Sequence, residues 1–156
     1  MTDAIAPTVH LTRWIKASPQ RVFEAWTTAD QLARWLSPGP EHPLAEVVAD
    51  ARVGGELRLA YGTADAGRYD AVVGQFLELT PPQRLVFTWA WQSPHSEFAA
   101  EDLGHESTVT IDLLPIDGGT ELTLRHRGLP PGLMSERHTW GWTGALDQLA
   151  DFDFSA

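Results

Sequence analysis

Apolar residues alternate most clearly in RLVFTWAWQ (84–92), where Leu85, Phe87, Trp89 and Trp91 fall on one side of an extended chain. A period of two predicts a strand with one buried face. Similar patterns, rich in β-branched and aromatic residues, predict strands at 8–16, 45–53, 56–62, 68–80, 107–116 and 120–128. In the first of these Val9, Leu11 and Ile15 share a face that Arg13 interrupts, and in the third the alternation runs through Leu57, Leu59 and Tyr61. Gly74 is placed as a bulge that lets the long 68–80 strand curve. Gly54-Gly55, Pro81-Pro82 and Asp117-Gly118-Gly119 mark turns between strands.

Helical spacing appears in three places. Ser18 followed by Pro19 reads as an N-cap with proline at the first helical position, ahead of Val22, Phe23 and Trp26. A second short helix begins near Asp30, carries Leu32, Trp35 and Leu36, and stops at Ser37-Pro38-Gly39-Pro40. After Pro130-Pro131-Gly132 the remainder to Phe154 predicts one long helix, with Leu146, Leu149 and Phe152/Phe154 on a stripe and Trp142 a turn before them. One strand, two helices, about six strands and a last helix make an α+β architecture. Its antiparallel meander must be covered on one face by that helix. Neither repeats nor a linker interrupt it, so 1–156 reads as a single domain.

Composition narrows the function classes. The chain of 156 residues has no cysteine, which excludes disulfides, thiolate metal sites and cysteine nucleophiles. Its formal charge of −10, with 21 acidic against 11 basic residues, opposes a nucleic-acid partner. The start MTDAIAPTVH lacks a basic segment followed by an apolar run, and no apolar stretch approaches the ~20 residues of a membrane span. A cytoplasmic protein without a membrane partner is expected. Seven tryptophans imply an interior rich in large rings that leave irregular space between them.

The order of elements and several local motifs resemble the START-like (SRPBCC, birch-pollen-allergen-like) superfamily. Within it they look most like single-domain proteins homologous to the ATPase activator of the ninety-kilodalton heat-shock chaperone. The matching segments are Ser18-Pro19-Gln20-Arg21-Val22-Phe23-Glu24-Ala25-Trp26-Thr27, Leu32-Ala33-Arg34-Trp35-Leu36 and Val53-Gly54-Gly55. Further matches are Gly74-Gln75-Phe76-Leu77-Glu78-Leu79 with Pro81-Pro82, Arg84-Leu85-Val86-Phe87-Thr88-Trp89, Gly119 to His126, Gly128-Leu129-Pro130 and Gly141-Trp142. Two departures stand out: Trp35-Leu36 replaces the paired tryptophans of many relatives, and 93–106 resembles a local insertion. The resemblance implies a helix-grip fold, a curved antiparallel sheet of six to seven strands wrapped around the C-terminal helix.

Candidate chemistry follows from these patterns. Phe87, Trp89 and Trp91, with Trp35, Tyr61, Phe76 and Trp142 as neighbours, are candidate linings of a cavity between sheet and final helix. The same rings could instead fill a solid core, and the resemblance favours the cavity. His126 shares a face with Leu122 and Leu124. It could move a proton or orient a ligand, but a core histidine bonded to a backbone carbonyl is the favoured reading. His138, four residues before Trp142, can face the sheet with it, and a cap or surface role is equally open. Arg13, Arg58 or Arg125 could hold a ligand carboxylate, though surface salt bridges are favoured for all three. His42, His95 and His105 have acidic neighbours but no metal-binding spacing, and no GxSxG, P-loop or GxGxxG follows a strand. Neither a metal nor a cofactor is expected.

Binding of a small hydrophobic or amphipathic molecule is therefore the first expectation. The second, implied by the resemblance, is an enzyme (cyclase, dehydratase or hydrolase) acting on an aromatic or polyketide-like compound, with His126, His138 and Tyr61 the residues to test. The third is a module that contacts the chaperone. Long edge strands allow a homodimer.

Overall fold

The computed structural model describes residues 9–37, 39, 44–62, 70–92 and 105–154. Along the chain run β1 (Val9–Ile15), α1 (Pro19–Thr27), α2 (Ala29–Trp35), β2 (Leu44–Ala49), β3 (Glu56–Tyr61), β4 (Asp70–Thr80), β5 (Arg84–Trp91), β6 (Ser107–Ile116), β7 (Gly119–Arg127) and α3 (Leu133–Ala150). The strands form one sheet in the order β1-β7-β6-β5-β4-β3-β2, antiparallel throughout. Because β1 and β2 are the two edges, α1 and α2 must carry the chain from one side of the sheet to the other. With α3 they cover its inner face in the expected helix-grip arrangement.

Local sequence explains the turns. Ser18 caps α1 through its hydroxyl, which accepts from Arg21 N at 3.3 Å, with Pro19 at the start. Between β6 and β7, Asp117 (φ 51°) and Gly118 (φ 77°) form a two-residue connection flanked by the paired Ile116 and Gly119. Positive φ at both positions matches the twist of the adjoining strands.

Two expectations need correction. The bulge in β4 is at Leu77, where the register shifts between Phe76 and Glu78, and not at Gly74. Gly74 instead permits close approach: a Cβ there would stand 1.8 Å from the Thr88 carbonyl oxygen. The C-terminal helix ends at Ala150 and does not include Phe152 or Phe154. Phe152 N bonds Leu149 O at 3.1 Å, tightening the last turn before the chain leaves the helix. The two phenylalanines then pack edge to face at 5.0 Å against the core.

The inward stripe of α3 is Met134, His138, Trp142, Ala145, Leu146 and Leu149, spaced by threes and fours. It shares one buried core with Val9, Ile15, Leu59, Phe76, Leu85, Phe87, Trp89, Val109, Ile111, Leu122 and Leu124 of the sheet. Arg13 lies on the inward side of β1, as its parity predicts, and forms an ion pair with Asp147 of α3. Among the described residues no helix is long and apolar enough to cross a membrane.

Candidate functional site

Strand parity and helical spacing bring two histidines together. His126 lies on β7 opposite Val109 of β6 and is fully buried, while His138 lies on the first turns of α3 and is 5% exposed. Their rings meet edge to face with centroids 5.2 Å apart. Trp89 and Trp91 of β5 project from the sheet onto His138, and Trp142 reaches back from α3 to His126.

Donor and acceptor accounting fixes the tautomers. His138 Nε2 receives the indole N–H groups of Trp89 at 3.0 Å and Trp91 at 2.9 Å, so this nitrogen carries the lone pair. His138 Nδ1 then donates to Met134 O, one turn earlier, at 2.7 Å. His126 Nδ1 accepts from Trp142 Nε1 at 3.0 Å, which leaves the proton on Nε2 to be donated to Ser107 Oγ at 2.7 Å. The Ser107 hydroxyl in turn donates to Trp89 O at 3.1 Å. Both rings are neutral. Burial pushes the pKa of His138 down from 6.5 to about 4 against the opposing pull of the Met134 carbonyl. Burial, and secondarily the neighbouring His138, pushes that of His126 well below its ordinary range.

This arrangement limits the chemistry. A serine beside a histidine is activated only when the imidazole can take its proton, and here His126 Nε2 already bears one. His126 and His138 each spend their lone pair on indole N–H groups. The two histidines therefore act as neutral connectors of sheet and helix. His126 is satisfied as expected, but by a hydroxyl and an indole rather than by a backbone carbonyl. Ser107 was not singled out from the sequence, although it shares the inward face of β6 with Val109, Ile111 and Leu113, and a lone hydroxyl in such a row signals a polar partner across it.

The other expected residues extend the aromatic surface. Phe87 stands 6.3 Å from Trp89 and 6.2 Å from Phe76. Trp35 packs at 4.6 Å against Trp26, which the sequence pattern places on the apolar stripe of α1, and donates its indole N–H to Ala25 O at 2.9 Å. Tyr61, half-buried, lies 5.9 Å from Trp91 and directs its hydroxyl to Leu36 O at 3.4 Å. Burial raises its pKa above the usual phenol range. Arg58 pairs with Glu46 at 3.1 Å and Arg125 with Asp112 at 3.2 Å, so both, like Arg13, engage carboxylates of the chain itself. His105 Nε2 contacts Gly128 O at 2.6 Å. His42 and His95 lie outside the described residues. No group of three or more potential metal ligands occurs among those described. A separate open cleft of about 380 Å³ between α2 and the end of α3 is lined by Arg34, Gln148, Asp151, Phe152 and Asp153, none of them an expected site residue.

Comparison with known proteins agrees with this geometry. The sequence model of the family "Activator of Hsp90 ATPase homolog 1-like protein" matches residues 16–152. The human "Activator of 90 kDa heat shock protein ATPase homolog 1" is 27% identical over 125 residues, covering 80% of this chain and 30% of that protein. The mouse protein of the same name is 26% identical over the same extent, so the chain spans less than a third of these relatives. A crystal structure of a Chromobacterium violaceum protein superposes with a TM-score of 0.77 at 29% identity, covering 92% of this chain and 94% of that one. A Silicibacter pomeroyi protein gives 0.75 at 28% identity, with the same coverage. The chain belongs to the family of Activator of Hsp90 ATPase homolog 1-like proteins.

Proposed function

We propose that the protein binds a small hydrophobic or amphipathic molecule between the sheet and α3. One observation carries this reading: an aromatic path leads from half-buried residues into the interior. Tyr61 and Trp91 are half-buried. From them, rings follow at 5.9 Å (Tyr61 to Trp91), 6.1 Å (Trp91 to Trp89), 5.0 Å (Trp89 to Trp142) and 6.0 Å (Trp142 to Trp26). Aromatic walls with few polar groups suit a flat apolar molecule, and the polar atoms of the two histidines are already matched, so a ligand need not satisfy them. The test is native mass spectrometry of protein purified from its own cells, followed by denaturation to release what is bound. A co-purifying small molecule supports the reading. Protein that is empty, and whose tryptophan emission no apolar compound of a broad panel alters, speaks against it.

A second reading, contact with the ninety-kilodalton heat-shock chaperone, is supported by the 27% identity to the human activator over 125 residues. It predicts that the purified chain changes the chaperone's ATPase rate or co-purifies with it. An unchanged rate together with no association would sink this reading.

A further inference from the structure

Trp26 ends the aromatic path. It projects from the last turn of α1 and is 2% exposed. Its ring lies edge to face against Trp35 at 4.6 Å and tilted against Trp142 at 6.0 Å and Phe87 at 6.2 Å. The surrounding indoles each donate to a protein acceptor: Trp35 to Ala25 O, Trp142 to His126, and Trp89 to His138. Trp26 differs. Its Nε1 is the only buried side-chain nitrogen or oxygen among the described residues that lacks a hydrogen-bond partner. Buried polar groups are paired in the great majority of cases, and an unpaired one calls for a specific account.

Resting on the binding reading above, we propose that the Trp26 indole N–H anchors the bound molecule. Its ligand is a flat, neutral, largely apolar compound that presents one oxygen acceptor, such as a ketone or ether, to Trp26. The donor sets the polarity of the match, because an N–H can be satisfied only by an acceptor. Neutrality follows from the surroundings. The rings packed against Trp26 are those of Trp35, Phe87 and Trp142, none of them charged. The inward Arg13 is paired with Asp147, and both interior imidazoles are uncharged. An anion brought against Trp26 would exchange its hydration for a single N–H, a poor exchange in an apolar interior. Flatness follows from walls made of rings, which favour offset-stacked and edge-to-face partners.

The experiment compares two isosteric probes, 2-acetylnaphthalene and 2-isopropylnaphthalene, on the full chain. The indole N–H resonances of ¹⁵N-labelled wild-type protein are followed during each titration, with that of Trp26 assigned by its loss in Trp26→Phe. The ketone is expected to move the Trp26 indole proton downfield and the hydrocarbon to leave it in place. Trp26→Phe is expected to weaken the ketone roughly threefold to tenfold and the hydrocarbon hardly at all, the worth of one hydrogen bond. The wild-type titrations decide the matter even if that variant folds poorly, since the resonance can be assigned by through-bond experiments. Equal binding of both probes with an unmoved Trp26 proton overturns the anchor and leaves the binding reading standing. Equal weakening of both probes by Trp26→Phe also overturns it, because the ring alone would then matter. Failure of both probes to bind up to their solubility overturns the anchor as proposed for a flat, neutral ketone, while the binding reading is decided separately by co-purification and the broad panel.

Discussion

His126 and His138 meet edge to face at 5.2 Å, one on the strand next to the sheet's edge strand and one on the helix that covers it. Each ring has its nitrogens matched by the protein, and between them they join β5, β6, β7 and α3 through five hydrogen bonds with Trp89, Trp91, Met134, Trp142 and Ser107, to which the Ser107 hydroxyl adds a sixth by donating to Trp89 O. The contact between sheet and helix is therefore specified by direction as well as by burial. Apolar packing alone would tolerate small slides of α3 along the sheet, whereas this network has one satisfied arrangement.

Acid should loosen the network. In the unfolded chain the histidines protonate near 6.5, while folding holds His138 neutral down to about 4 and pushes His126 well below its ordinary range. The unfolded state therefore binds more protons between these values, and stability falls as pH drops through the window from 6.5 to 4. His138 alone accounts for about 3 kcal/mol of this loss, from the difference between 6.5 and about 4. Urea denaturation at pH 7.5, 6, 5 and 4 should show a steep decline. His138→Gln, whose amide oxygen can still accept indole N–H groups, should flatten it. A decline of equal steepness in that variant would place the acid sensitivity elsewhere.

Ser107 should matter for stability without being a nucleophile. It accepts from His126 Nε2 and donates to Trp89 O, so Ser107→Ala strands a buried donor and a buried carbonyl. A cost of about 1–3 kcal/mol is expected. Trp142→Phe removes the donor at the other end of the same imidazole. The two losses should therefore be non-additive in a double-mutant cycle, with a coupling of about 0.5 kcal/mol or more. Strict additivity would mean that the imidazole does not transmit one bond to the other.

Much of this arrangement was legible in the residues because its parts are periodic. The alternation of Leu85, Phe87, Trp89 and Trp91 placed their rings on the inner face, and the parity of Leu122, Leu124 and His126 buried the imidazole. The four-residue step from His138 to Trp142 set both against the sheet. Pairing across elements was not legible. That Trp142 seeks His126 while Trp89 and Trp91 seek His138 depends on how α3 is shifted along the sheet, which no local pattern encodes. The bulge was misplaced for a related reason: glycine signals backbone freedom without saying whether a kink or a close neighbour uses it. The helical spacing of Phe152 from Leu149 predicts a helix there, although the backbone tightens out of the α-helix before it. Trp26 lay in plain view as a core residue, and only the three-dimensional inventory of donors sets it apart.

Two glycines separate those uses of backbone freedom and give a last expectation. At Gly118 φ is +77° and a Cβ would meet nothing within 4 Å, so Gly118→Ala pays only for the left-handed conformation, about 1–2 kcal/mol. At Gly74 the position reverses. The backbone is not in the left-handed region, but a Cβ would meet Thr88 O at 1.8 Å and Thr88 C at 2.7 Å, both main-chain atoms that cannot swing aside. Relief requires β4 and β5 to part where Gln75 N donates to Thr88 Oγ1 at 2.9 Å and where the next inward residues, Phe76 and Phe87, are paired. Gly74→Ala should cost about 3 kcal/mol or more, or prevent folding, while Gly118→Ala folds with a modest loss. Thermal unfolding of the two variants side by side checks this. Equal, small losses would show that the β4–β5 contact yields easily, and would remove the rigid floor on which Trp89 and Trp91 are held toward His138.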